Sequence, residues 1–298
     1  MILHTMVRKQ LLFLLLLMIS GWLDAQADFQ NFNRKYDSLS AILFGPYADS
    51  IRIDANQNFE EVLAIFLKTG ESLDYPVDSM KFVKMVAPEN RSFRMFTWAV
   101  PLSGEDHIYS GIVQINKNDE TLDVISLSPG KNEIDEDSVY SGNHWPAAVY
   151  FELIENRGSE FYTLLGWRDS GPGKTSRVID IFHFDQDGTV LFGKPVFEVS
   201  DRSLQSRVIF QFTDQVPFHL AYEKQSPSVK ARKKEWMIVF NHLGGNKPAM
   251  GRMFRAPVPV YDRFDGLIFS DGRWQYIKDV DARVETRKYQ PPDRKSVV

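Results

Sequence analysis

The chain contains no cysteine. That absence removes disulfides, thiolate nucleophiles and thiolate metal sites together. It also removes the lipid-bearing cysteine of a bacterial lipoprotein. The six histidines are scattered and no His-Glu-x-x-His occurs, so no zinc site is written in the spacing. The Gly-x-Ser-x-Gly elbow of one hydrolase class is missing. There is no excess of positive charge: 35 Lys and Arg face 39 Asp and Glu, a net −4 that offers no electrostatic case for nucleic acid. No cofactor is expected. Beyond residue 27 no apolar run approaches the ~20 residues of a membrane span, so no transmembrane span is expected there. A transmembrane barrel is disfavoured too, because many of the expected strands are shorter than the ~10 residues such a barrel needs.

The beginning of the chain reads as a secretory leader. Arg8 and Lys9 form its positive end, Leu11 to Leu23 its apolar stretch, and Ala25-Gln26-Ala27 a small-x-small cleavage site. Cleavage after Ala27 makes Asp28 the mature N-terminus and places the protein in the periplasm or outside the cell. Loss of Arg8, Lys9 and Asp24 moves the net charge from −4 to −5. The remainder is long enough to bury a large core without disulfide staples.

Two helices are expected in a segment spanning 28–74. Phe29, Phe32, Tyr36, Leu39 and Leu43 share one helical face, and Gly45-Pro46 ends that helix. In the second, Asn58 serves as the cap with Glu61 three residues on. Phe59, Val62, Leu63 and Phe66 form its stripe and Gly70 closes it. From 75 to 280 the period changes to two. MKFVKMV with SFRMFTWAV, IYSGIVQI with TLDVISL, AAVYFELI with EFYTLLGW, RVIDIFHF with TVLFGKPVFEV, RVIFQF with FHLAYE, and RFDGLIF with RWQYIKD read as hairpins. EWMIVFNHL precedes a Gly-Gly turn at 244 and 245. The expected fold is mainly β: a large antiparallel meander or sandwich-like domain carrying a short N-terminal helical segment. The charged, Pro-containing tail 281–298 is expected to be disordered.

Several motifs fall short of chemistry. Gly173-Lys174-Thr175 ends like a phosphate loop, but Arg168 stands where the leading glycine belongs, and a β-branched stretch follows in place of a helix. Asp169-Ser170-Gly171 resembles a serine-protease setting without that class's flanking residues. Asp185-x-Asp187-Gly188 resembles part of a calcium loop and is better read as a hairpin turn. Glu133, Asp135, Glu136 and Asp137 offer carboxylates for calcium, or a solvated loop. Lys230-Ala231-Arg232-Lys233-Lys234 reads as a wet loop, with contact to anionic lipid or polysaccharide as its functional alternative.

The candidate binding residues are His144 and Trp145 on one polar loop, and Trp167, Arg168 and Asp169 at the end of a strand. If the two loops are neighbours, these five line one pocket able to stack on and hydrogen-bond a polar ring. The alternative is that both tryptophans plug the ends of the core.

FYTLLGW, the polar loop after it, RVIDIFHF and LFGKPVFEV carry a resemblance. The chain resembles a group of uncharacterised exported proteins of Bacteroidetes-like Gram-negative bacteria, from about Phe93 to Trp274 and most clearly from Phe161 to Phe197. The resemblance implies an envelope protein and brings no activity, cofactor or catalytic residue. Here Arg168 and the Gly-Pro-Gly run replace the group's Asn-rich loop, so a ligand bound there by the group does not carry over. The expected function is non-catalytic binding or assembly in the periplasm or envelope, with a glycan or an envelope protein as partner. The alternative is an exported hydrolase on loops 142–146 and 166–175, with His144 as base, Asp169 orienting it or acting as acid, and Arg168 holding an anionic group.

Overall fold

A computed structural model describes residues 29–118, 121–130, 134–171, 173–199, 203–213, 216–228, 233–244 and 257–281. The leader, Lys230 to Arg232, Glu133, Gly245 and the tail from residue 282 lie outside the described residues. Strand accounts for 50% and helix for 21%, so the chain is mainly β with a short N-terminal helical segment.

Four layers stack on one another. The first is α1 (29–43) and α2 (Asp49–Phe66). The second is sheet 1, in the order β1 (Lys84–Val86), β2 (Phe93–Pro101), β3 (His107–Asn118) and β4 (Thr121–Leu127). The third is sheet 2, in the order β5 (Tyr140–Ser141), β9 (Val190–Phe192), β8 (Lys174–Phe184), β7 (Phe161–Asp169) and β6 (Val149–Glu155). β11 (Val208–Thr213) pairs with the first half of β8. The fourth is sheet 3, in the order β10 (Phe197–Glu198), β15 (Arg273–Val280), β14 (Val258–Ser270), β13 (Glu235–Gly244) and β12 (Leu220–Gln225).

The period-two pattern decides which core each side chain joins. On β2, Phe96, Trp98 and Val100 meet Phe59 and Leu63 of α2, while Phe93 and Met95 turn to sheet 2. Leu164 of β7 and Phe182 of β8 meet them there. Leu165, Ile179 and Ile181 face sheet 3, packing with Ile238, Leu267 and Trp274. Sheet 2 is therefore covered on both faces. That is why FYTLLGW and RVIDIFHF read as nearly continuous apolar runs where a one-sided strand would alternate.

Two expectations need correction. α2 starts at Asp49, nine residues before the expected cap at Asn58, and its actual cap position, Ala48, makes no side-chain cap bond. The polar stretch from Asp49 is helical because its buried members have partners on the sheet. Asn56 donates to Ser110 Oγ at 2.9 Å and accepts from Trp98 Nε1 at 2.8 Å. Likewise, RVIFQF and FHLAYE are not a hairpin. β11 joins β8, and β12 joins β13 in the next sheet. Phe218 stacks on Phe212 at 4.6 Å and packs on Phe210 at 5.4 Å, so the connection carries the chain across the inter-sheet core.

Buried polar groups join the layers. Arg94 Nε donates to Gln114 Oε1 at 2.7 Å, and Nη2 donates to the Ser72 carbonyl at 2.9 Å. Burial brings the Arg94 guanidinium down to about 10, and it stays charged at neutral pH. Trp274 Nε1 donates to Thr163 Oγ1 at 2.9 Å, tying sheet 3 to sheet 2. At the centre of sheet 2, Arg207 and Asp180 are both wholly buried, with Nε 3.2 Å from Oδ1. The Tyr150 hydroxyl donates to Asp180 Oδ2 at 3.0 Å. Arg207 also donates to the carbonyls of Asp135, Ser138 and Phe192 at 2.6, 2.8 and 3.1 Å.

Removing one member of a buried ion pair leaves an uncompensated charge. Arg207→Ala is expected to destabilise the fold by about 3–5 kcal/mol, read as a lower urea midpoint at unchanged slope. Tyr150→Phe, which deletes one neutral donor, is expected to cost about 1 kcal/mol.

Candidate functional site

The site lies where the first residues of β3 meet the last residues of β7, at one end of the interface between sheets 1 and 2. His107 and Tyr109, two apart on β3, contact Trp167 and Asp169, two apart on β7. His107 Nδ1 is 3.1 Å from Asp169 Oδ2. The Tyr109 hydroxyl accepts the Asp169 backbone N–H at 2.5 Å. The Trp167 ring stands edge-on to both, with centroids 6.0 Å from His107 and 6.2 Å from Tyr109. Asp169 Oδ1 accepts the Ser170 N–H at 2.9 Å, which fixes the carboxylate with its other oxygen towards the imidazole. Ser170 Oγ and Ser176 Oγ share a hydrogen bond at 2.5 Å. His107, Tyr109, Asp169, Ser170 and Ser176 border an open cleft of about 860 Å³ whose apolar lining includes Ile108, Ile134 and Ile209; Trp167 stands behind His107 and Tyr109 and is not part of that lining.

Burial, reinforced by the Asp169 carboxylate, pushes the Tyr109 hydroxyl up to about 12, so it stays protonated at physiological pH. Arg168 lines the same cleft, and its Nε donates to the Asp169 carbonyl at 3.4 Å. Its Nη1 donates to the Pro146 carbonyl at 3.1 Å, and burial lowers its guanidinium below the usual arginine value.

The two loops singled out in the sequence are neighbours, joined by the bond from Arg168 to Pro146. Trp167, Arg168 and Asp169 come together at the end of β7. His144 is exposed at the end of a single 3-10 turn, and the cleft lining does not include it. Trp145 is wholly buried between sheets 1 and 2, beside Tyr150 and Phe192. The histidine beside Asp169 is His107. The sequence does carry a signal for it: a polar residue at the edge of a strand, two before a tyrosine. That signal becomes legible only once β3 and β7 are known to meet across two sheets.

The other motifs resolve as turns. Gly173-Lys174-Thr175 leads into β8, a strand. Asp185 Oδ1 accepts the N–H groups of Asp187 and Thr189, and this closes the β8–β9 hairpin. Glu136 Oε1 accepts the Ile209 N–H at 2.9 Å, so this carboxylate is spent on holding its loop to β11. Burial raises it above the usual carboxylate range. Asp135 accepts from the Asp137 N–H and the Ser138 hydroxyl within the same loop. Among the described residues, no three of His, Asp and Glu converge as metal ligands.

The fold and cleft define a layered three-sheet β protein with a polar site at the end of an inter-sheet junction. No protein-family model, curated protein or solved structure matches the chain. No described helix is long and apolar enough to cross a membrane.

The His107–Asp169 pair is partly exposed, at 25% and 18% of the two side chains. Such a pair contributes little to stability after solvent screening. His107→Ala is expected to shift unfolding free energy by no more than about 1 kcal/mol. A several-fold larger loss in chemical denaturation would mark the pair as a structural prop and remove it as a site.

Proposed function

We propose that this chain is an exported protein of the bacterial envelope, in the periplasm or outside the cell, that binds a small polyhydroxylated ligand in the cleft between sheets 1 and 2. A glycan fragment is the ligand class that suits it, with an envelope protein as the other partner. The observation that carries the reading is the convergence of opposite hydrogen-bonding characters on one cleft. Asp169 accepts, the protonated Tyr109 hydroxyl supplies an O–H, and His107, held at Nδ1 by Asp169, presents its Nε2. The cleft volume of about 860 Å³ is within the range of small-molecule sites. The leader-like first 27 residues and the resemblance to exported Bacteroidetes-type proteins support the compartment.

Export is tested by N-terminal sequencing of the protein recovered from a Gram-negative host. A mature chain beginning at Asp28 is expected, and recovery only of cytoplasmic chain beginning at Met1 would contradict it.

The binding reading is tested by a thermal-shift screen of mono- and oligosaccharides. A ligand present at 100 times its Kd adds about 2.7 kcal/mol, a shift of several degrees. His107→Ala combined with Asp169→Ala is expected to abolish that shift. A shift that survives in the double variant places the ligand elsewhere, and no shift across the screen removes the reading.

One observation favours a second reading, an exported hydrolase. A carboxylate at Nδ1 orients an imidazole and leaves Nε2 for proton transfer. In that reading His107 takes the role of base first considered for His144. The hydrolase differs from the binding protein in consuming its ligand, with turnover lost in His107→Ala. Binding without turnover is the expected result, because the Ser170 hydroxyl is engaged by Ser176.

A further inference from the structure

Lys233-Lys234 is the described end of the basic stretch. It runs directly into β13, whose second residue is Trp236. Trp236 is 53% exposed, a large apolar surface left in water. It is not a stray side chain. Its indole stacks on the Tyr222 ring at 5.1 Å with 25° between planes. Behind Tyr222 stands the wholly buried Trp274, edge-on at 6.3 Å and 88°. Trp274 is fixed in turn by its bond to Thr163. The outer aromatic pair is thus a rigid platform backed by the core.

The register shows what surrounds it. Lys224 of β12 lies directly opposite Trp236, and Tyr222 opposite Ile238, so all four project from the same face of sheet 3. Glu223 and Glu235 fall on the opposite face by the period of two. The acid beside the platform is Glu152 of β6, whose Oε2 accepts the Tyr222 N–H at 3.4 Å. Ile238 and Phe240, farther along the same face, belong to the core between sheets 2 and 3. The platform is where that face runs past the cover of sheet 2.

We propose that Trp236, Tyr222 and Lys224 form a second site, separate from the cleft, that binds an acidic polysaccharide. A pyranose ring presents a flat array of C–H bonds suited to an aromatic face, and such rings suit pre-stacked, entropically fixed aromatics. The Lys224 ammonium beside the platform selects a chain that carries carboxylates or sulfates. A membrane surface suits the geometry less well. Insertion calls for apolar side chains standing clear of the body, whereas here one face of Trp236 is covered by Tyr222.

Affinity electrophoresis through gels containing polygalacturonate tests the site. The protein is expected to be retarded by polygalacturonate and not by dextran, with retardation weakened as salt rises from 0.1 to about 0.5 M. Trp236→Ala and Lys224→Glu are each expected to weaken binding at least about tenfold, with the cooperative urea transition retained. His107→Ala should bind polygalacturonate as the wild type does, which keeps this site distinct from the cleft. Wild-type retardation in Trp236→Ala overturns the proposal. So does failure to bind polygalacturonate, including the case in which the protein binds phosphatidylglycerol vesicles instead.

Discussion

Arg207 is the group on which the architecture turns. Its guanidinium is wholly buried, and its donors go to Asp180, to the carbonyls of Asp135, Ser138 and Phe192, and over the Tyr140 ring at 4.8 Å. A buried cation is tolerable only when each polar direction is met, and here one side chain gathers three separate stretches of chain to meet it. The arrangement continues outwards. Asp180 holds the Tyr150 hydroxyl, and the Tyr150 N–H donates to Thr97 Oγ1 at 2.9 Å, which crosses from sheet 2 into sheet 1. Even Gly193 is dictated by it. This residue has φ +93°, and a Cβ there would stand 2.5 Å from Arg207 Nη2, so any side chain would displace the guanidinium. Buried pairs of this kind add less to net stability than an apolar replacement of equal shape would. Their value is that only one arrangement of the surrounding loops satisfies them.

That constraint reaches the cleft. Residues 135–138 are pinned by Arg207 and by Glu136, and Ile134 at their head forms part of the cleft wall. Ile209, whose N–H Glu136 accepts, forms another part. The polar groups of the cleft stand on strand ends of a rigid stack, and its apolar lining comes from β3, from β11 and from Ile134 at the head of the loop that Arg207 pins. A site built this way is preformed, which suits recognition more than it suits a large closing motion.

Local chemistry is legible in the sequence and long-range pairing is not. The hairpins of β6 with β7 and of β14 with β15 follow from alternation and from turns such as Asp271-Gly272, where both residues take positive φ. The loop that mimics a phosphate-binding motif is likewise turn chemistry, since Gly171 and Gly173 sit at φ +87° and +70°. Sequence alone shortens α2 because Asp49 to Gln57 is mostly polar, and only the partners of Asn56 on sheet 1 explain why the stretch is helical. Sequence alone also pairs β11 with its neighbour along the chain, although the contacts of Phe218 take the chain to another sheet. The same limit governs the site. Trp167, Arg168 and Asp169 stand together on one strand and can be singled out. His107 lies 62 residues from Asp169 on a different sheet, and no periodicity connects them.

Layered sheets restrict where function can sit. Within the stack, inward side chains go to the hydrophobic cores, and the buried charged groups Asp180 and Arg94 are hydrogen-bonded there. On an outer face a polar group is wet but loosely held. Only where one sheet outruns its neighbour can a side chain be fixed from behind by the core and still meet solvent. His107 and Asp169 occupy one such margin, at the ends of β3 and β7. Trp236 and Lys224 occupy another, at the free side of sheet 3. Both candidate surfaces follow from the same geometric fact: the layers differ in extent, so their cores end in rims that are rigid and exposed at once.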